Sequence, residues 1–224
     1  MLGQGVYKLA EVSKLTGMYP ARVSYWFKQL PENIVHGPIF QSDYQPIGND
    51  YAVSFLDLID VLVASQFRDQ YKVPMRIVRC AYNVLQKELN VKHPFCHSDL
   101  YTDGRRIFSL AASKISKSNE KLSDVISHQQ FFLHIKEKLS HIDYGTISKI
   151  AERWRIAQGV VIDPFINMGK PTVENTGVTT YIIANQYYAN RENTSLIADL
   201  YDVSEGDIVN AVKFEEWYRK RRVA

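Results

Sequence analysis

Residues 161 to 178 form an extended, turn-punctuated arm that runs directly into two helical patterns, and this order leaves few folds open to the end of the chain. Asp163-Pro164 sets a turn after the apolar pair Val161-Ile162, Gly169 to Pro171 makes a second, and Thr176-Gly177 a third. Asn175 tolerates the positive φ such an arm needs. Beyond it, the faces Tyr181/Ile182/Asn185 and Leu196/Ile197/Leu200 can pack on Ile208, Val209 and Val212 of a last helix. A trihelical unit with a basic tail is expected over residues 159 to 224, and a unit of this kind suits binding more than chemistry.

The other end predicts a second binding unit. Leu9, Val12 and Leu15 keep helical spacing, Thr16-Gly17 interrupts it, and Pro20 suits the first turn of a second helix with Val23, Trp26, Phe27 and Leu30 on its apolar face. In a helix-turn-helix the first helix crosses the DNA backbone and the second enters the major groove. Arg22, Tyr25 and Gln29 share the face opposite the apolar one, with Ser24 and Lys28 beside them, and Lys14 comes from the first helix. Arg and Gln suit guanine and adenine edges, whereas Lys and Tyr more often hold phosphates. A solvated face on an ordinary helical hairpin has the same pattern. Residues 31 to 53, with Pro31, Gly37, Pro38, Pro46 and Gly48, read as a wing or connector that closes this unit.

Between the ends, Ser54 with Asp57 forms a capping-box start for a helix to about Tyr71, and Pro74 opens another to about Leu89. The stretch from Leu100 to Phe108 predicts a β-hairpin around Asp103-Gly104, and the Ser/Lys-rich residues 111 to 123 predict a connection. Phe132, Ile135, Leu139 and Ile142 then place one apolar stripe on a helix. The wide apolar surfaces around 54 to 71 and 125 to 142 exceed what one small core obviously needs, and a homodimer is expected.

Little in the chain speaks for catalysis. A net charge of +3 is mild, although both ends are locally basic, the last run being Arg219 to Arg222. Cys80 and Cys96 are too few for a disulfide framework, and without a signal peptide or membrane span the protein is expected in the cytoplasm. Pro94 between His93 and His97 spoils helical metal spacing, so the histidines read as structural or surface groups. Asp57 and Asp60 read as helix N-terminal charge. No phosphate-binding loop is present, and the expectation is a non-enzyme without cofactor or metal.

Two resemblances sharpen these readings. Tyr7 to Trp26 is similar to the opening of MerR-type winged helix-turn-helix domains, including the variant fused to some VapB-type antitoxins, with one departure: Ser24 stands where MerR proteins often carry Arg. Val161 to Glu215 resembles the antitoxin domain known as domain-of-unknown-function family 433, and Arg105 to Phe108 and Ile142 to Tyr144 resemble the connecting region of the long antitoxins that combine both ends.

These resemblances imply a VapB-type antitoxin. Such a protein neutralises a PIN-domain (VapC-type) ribonuclease toxin and represses its own operon by binding operator DNA. The implied toxin contact is the terminal segment, with Trp217 and Tyr218 as anchors and Arg219, Arg221 and Arg222 delivered to a carboxylate-rich metal site. A short basic tail that is merely solvated would look the same. The alternative is a stand-alone MerR-like transcription regulator whose C-terminal unit dimerises or senses a ligand. The expected fold class is mainly α: a MerR-like winged helix-turn-helix over 1–53, central helices with a small β-hairpin over 54–158, and a C-terminal trihelical domain over 159–224.

Overall fold

In the computed structural model, which describes residues 4–28, 38–48, 50–70, 73, 75–100, 137 and 139–221, the first helix forms where the sequence places it. Glu11 accepts the Lys8 backbone N–H at 2.8 Å to open α1, Leu9–Thr16, and Gly17 closes it in the left-handed region at φ 77°. After a short turn, Pro20 begins α2, Pro20–Phe27, which buries Val23, Trp26 and Phe27. Strand β1, Tyr7–Lys8, pairs antiparallel with β2, Ala52–Val53, Tyr7 lying opposite Val53. Residues 38 to 48 follow an irregular path, with an isolated bridge between Ile47 and Asp50.

Ser54 caps α3, Phe55–Ser65, in the expected capping box: the Asp57 N–H donates to Ser54 Oγ at 3.1 Å and the Ser54 N–H to Asp57 Oδ2 at 2.9 Å. The helix continues as a π turn over Gln66–Gln70 and is followed by α4, Met75–Leu89. Helix α3 is buried on nearly every side, with Phe55, Leu58, Ile59, Val61, Val63 and Ala64 all in the core. The 54 to 71 part of the surface that suggested a dimer interface is therefore buried largely within the chain. The hairpin expected around Asp103-Gly104, the 111 to 123 connection and most of the 125 to 142 helix lie outside the described residues.

Two findings correct the expected mainly α class. Ile142, expected at the end of a helical stripe, begins a strand, and the arm belongs to a four-stranded antiparallel sheet of β3 (Ile142–Tyr144), β4 (Ala151–Ala157), β5 (Val160–Ile162) and β6 (Thr172–Val173) in sequential order. The described residues thus combine helices with two small sheets. The β4–β5 connection is the tight pair Gln158-Gly159, with Gly159 at φ 66°.

The sheet leads to α5 (Thr180–Ala189), α6 (Thr194–Tyr201) and α7 (Glu205–Lys220), whose first turns are capped by Thr179, Asn193 and Ser204. Val173, Ile183, Ala184, Ile197, Ile208, Ala211 and Val212 form their small core. Among the described residues a larger core makes Trp26, Phe40 and Phe55 from the first half of the chain continuous with Trp154, Val160, Ile162 and Phe214. No helix among the described residues is long and apolar enough to cross a membrane.

The beginning of the chain is stitched to its end by polar contacts as well. The Val6 N–H donates to the Met168 carbonyl at 3.1 Å, Tyr7 Oη donates to the Gly169 carbonyl at 2.9 Å, and Lys170 Nζ pairs with Glu11 at 2.5 Å. Tyr7 is fully buried, which pushes its phenol well above the usual range.

Candidate functional site

The expected DNA-contacting residues occupy the outward side of the first two helices. Tyr25 is exposed, while Arg22, Ser24, Lys28 and Lys14 are half-buried, and Gln29 lies outside the described residues. Arg22 Nη1 pairs with Asp69 at 2.6 Å, so the π turn after α3 places a carboxylate beside the one arginine of α2. Lys28 Nζ stands 5.6 Å from the centre of the Tyr51 ring, and Lys14 Nζ stands 5.3 Å from that of Tyr218. Only the first of these arrangements spends the charge on an acid, and the pair is exposed enough to exchange Asp69 for another anion at small cost.

The expected toxin-contacting residues divide into two groups. Trp217 is 38% exposed, and Arg219 lies at the surface with Nη2 3.2 Å from Asn185 Oδ1. Tyr218 turns inward, stacked on Phe214 at 5.9 Å, and burial pushes its phenol up to about 12. Arg221 also turns back into the molecule. Its Nη1 donates to the carbonyls of Lys14 at 2.9 Å and Leu15 at 3.3 Å, its guanidinium covers the Trp217 ring at 4.1 Å, and burial lowers its pKa. These carbonyls belong to the last turn of α1, where a cation is favoured by the helix dipole and by unsatisfied acceptors. Arg222 lies outside the described residues.

The basic end of α7 thus caps α1, beside a cleft of about 780 Å³ walled by Thr16, Trp154, Arg155, Trp217 and Arg221. Arg221→Ala is expected to lower stability by about 1–2 kcal/mol, because it removes two charge-assisted hydrogen bonds that are only partly screened. Urea denaturation of the variant checks this, and an unchanged midpoint contradicts it.

Several exposed apolar side chains lie on the last three helices: Tyr181, Ile182 and Tyr188 on α5, Leu196 and Leu200 on α6, and Val209 on α7, while others, such as Ile47, Ile147, Phe165 and Met168, lie on turns elsewhere. Tyr181 and Leu200 are 60% and 61% exposed, although the three helices have a core of their own.

Sequence reasoning missed one constellation. Asp57 and Asp60, read as helix-terminal charges, are fully buried, and His93 joins them from the turn before residues 94–96. His93 Nδ1 lies 2.7 Å from Asp60 Oδ2 and Nε2 lies 3.2 Å from Asp43 Oδ1. Tyr82 Oη donates to Asp60 Oδ2 at 2.6 Å, and Lys92 Nζ reaches Asp43 Oδ1 at 2.5 Å. Burial alone would depress the His93 imidazolium, but hydrogen bonds to Asp43 and Asp60 outweigh it and push the pKa up to about 10. Burial raises Asp57 and Asp60. It would raise Asp43 too, but hydrogen bonds from His93, Lys92 and Ser54 hold that carboxyl far below the usual range. Cys96, also buried against Asp60, has its thiol pushed up by burial and is chemically inert. The available signal was two acids inside an otherwise apolar helix face, which burial demands be paired.

Comparison with known proteins gives relatives of similar length but little functional information. The uncharacterized protein Rv2308 of Mycobacterium tuberculosis (strain ATCC 25618 / H37Rv) is 24% identical, in an alignment covering 100% of this chain and 95% of that protein. The crystal structure of Rv2018 from Mycobacterium tuberculosis superposes with a TM-score of 0.73 at 23% identity, covering 92% of this chain and 96% of that one, a likeness of fold. One segment is assigned to a family: residues 160–214, from β5 through most of α7, match the model described as protein of unknown function (DUF433), so the chain carries a DUF433 domain.

Proposed function

We propose that this protein is a DNA-binding antitoxin of the VapB type, whose MerR-like N-terminal helix pair holds operator DNA and whose DUF433 domain binds and neutralises a PIN-domain ribonuclease. The observation that carries the reading is the outward face of the DUF433 helices: Tyr181, Ile182, Tyr188, Leu196 and Leu200 remain exposed although the domain already has a closed core. A solvated module would carry polar residues there, whereas a protein-binding module needs apolar and aromatic anchors. Arg219, held to Asn185 of α5, borders this region, and Trp217 is exposed beside the cleft at the end of α1. Arg221 must leave the end of α1 before it can meet a carboxylate of the nuclease.

For DNA, Arg22 and Lys28 carry the positive charge of the α2 face and Tyr25 stands beside them. Arg22→Ala and Lys28→Ala are each expected to flatten the log-log salt dependence of operator binding by about one unit. Fluorescence anisotropy at several salt concentrations measures it, and unchanged slopes for both variants exclude α2 as the DNA contact.

A second reading, a stand-alone regulator, follows from the same apolar face if a second copy of the chain covers it. Co-expression with a PIN-domain ribonuclease encoded beside the gene separates the two. Co-purification with loss of ribonuclease activity supports the antitoxin. A stable homodimer that ignores the nuclease supports the regulator.

A further inference from the structure

We propose that Asp43, Asp57 and His93 form a binding site for one divalent transition-metal ion, with Asp60 orienting the imidazole from behind. The three residues come from three segments: the turn at Asp43, the first turn of α3, and the residue before the 94–96 turn. One ligand atom from each lies within 4.8 Å of the others. This goes beyond the antitoxin reading and does not depend on it.

Two observations separate the cluster from an ordinary acidic patch. Asp57 Oδ1 is buried and has no hydrogen-bond partner among the described residues, although Oδ2 of the same carboxylate accepts the N–H groups of Asp43 and Ser54. A buried acceptor without a donor is costly. Oδ1 lies 4.0 Å from His93 Nδ1, which places it at the edge of the cluster, where an ion that takes the place of the Nε2 proton would supply the partner it lacks.

The second observation is the arrangement of the imidazole. Nδ1 is held by the Asp60 carboxylate, and Nε2 lies 3.2 Å from Asp43 Oδ1. Two ligands bound tetrahedrally to one Zn²⁺ at about 2.0–2.1 Å are roughly 3.3 Å apart, so this pair needs little movement. A carboxylate on the far nitrogen is the usual support of a metal-bound histidine. Two carboxylates with one imidazole favour Zn²⁺ over Mg²⁺ or Ca²⁺, which prefer oxygen ligands throughout.

Asp43 is the outermost ligand, and Lys92 competes for its Oδ1. The neighbouring Tyr44 donates to the Gly5 carbonyl at 2.5 Å, so an ion here braces the start of the chain against α3.

Calorimetric titration of the chelator-treated full chain with Zn²⁺ tests the site. The expected result is saturable binding of one equivalent, weakened at least about tenfold by Asp57→Asn and unaffected by His141→Gln, which removes an exposed imidazole elsewhere. Lys92→Ala is expected to tighten binding several-fold by removing the competing cation, whereas a purely structural ion-pair network gains nothing from that change. Absence of saturable binding, or equal affinity in Asp57→Asn with its circular dichroism intact, overturns the proposal. If Asp57→Asn does not fold, Lys92→Ala decides: tighter binding supports the site, and equal or weaker binding overturns it.

Discussion

Replacing His93 with Ala is expected to destabilise the metal-free protein by about 3–5 kcal/mol, because it removes the counter-charge from two carboxylates in the interior. Asp60 is fully buried and depends on His93 Nδ1 and Tyr82 Oη for its Oδ2. Without the imidazole it must ionise unpaired or take up a proton, and either outcome costs more than the polar contact itself contributed. The cavity adds to this, since Tyr82, Phe95 and Phe40 form a close aromatic chain beside the site, with ring centres 5.0 to 5.1 Å apart. Urea denaturation measures the loss as a lower midpoint with an unchanged slope. A shift below about 1 kcal/mol would mean that the network is dispensable.

The second large effect is expected at Gly169, where the DUF433 arm meets the first strand. Gly169 sits at φ 80°, and a methyl group on it would overlap the hydroxyl of Tyr7. Tyr7 cannot step aside cheaply: it is fully buried, and its hydroxyl donates to the Gly169 carbonyl. Gly169→Ala therefore combines left-handed backbone strain with overpacking, and is expected to cost about 2–4 kcal/mol. Tyr7→Phe removes only the hydrogen bond and should cost about 1 kcal/mol. Combining the two should recover part of the loss, because the overlap is with the hydroxyl and the neighbouring ring carbon. Thermal and urea unfolding of the three variants check the order.

Much of the fold was legible because local rules agreed with tertiary packing. Gly17 ends α1, Pro20 begins α2, Ser54 with Asp57 begins α3, and the three C-terminal helices lie where apolar spacing placed them. The sheet was not legible in the same way. Ile142 fits a helical stripe as well as a strand, and β4 alternates Ala151, Trp154 and charged residues imperfectly because its register shifts twice against its neighbours. The Gln158-Gly159 turn was the clue available.

The candidate surfaces were legible only as patterns. Spacing put Arg22, Tyr25 and Lys28 on one face of α2, but nothing local announced Asp69 as the partner of Arg22. The fate of the tail was the hardest to foresee. Arg221 reads as a free cation in the sequence, and its acceptors, the carbonyls of Lys14 and Leu15, lie at the other end of the chain. The buried acids were hidden for a similar reason, since His93 and Asp43 come from distant turns.

These contacts make the first two helices and the DUF433 domain parts of one folded body, and a partner on either end would meet a surface braced by the other. The most direct measurement follows urea unfolding in two single-tryptophan versions, one keeping Trp26 in α2 and one keeping Trp217 near the end of α7. Coincident midpoints and slopes are expected if the shared core and the Arg221 cap unite the ends. Two separated transitions, with Trp217 reporting well before Trp26, would show that the ends fold independently.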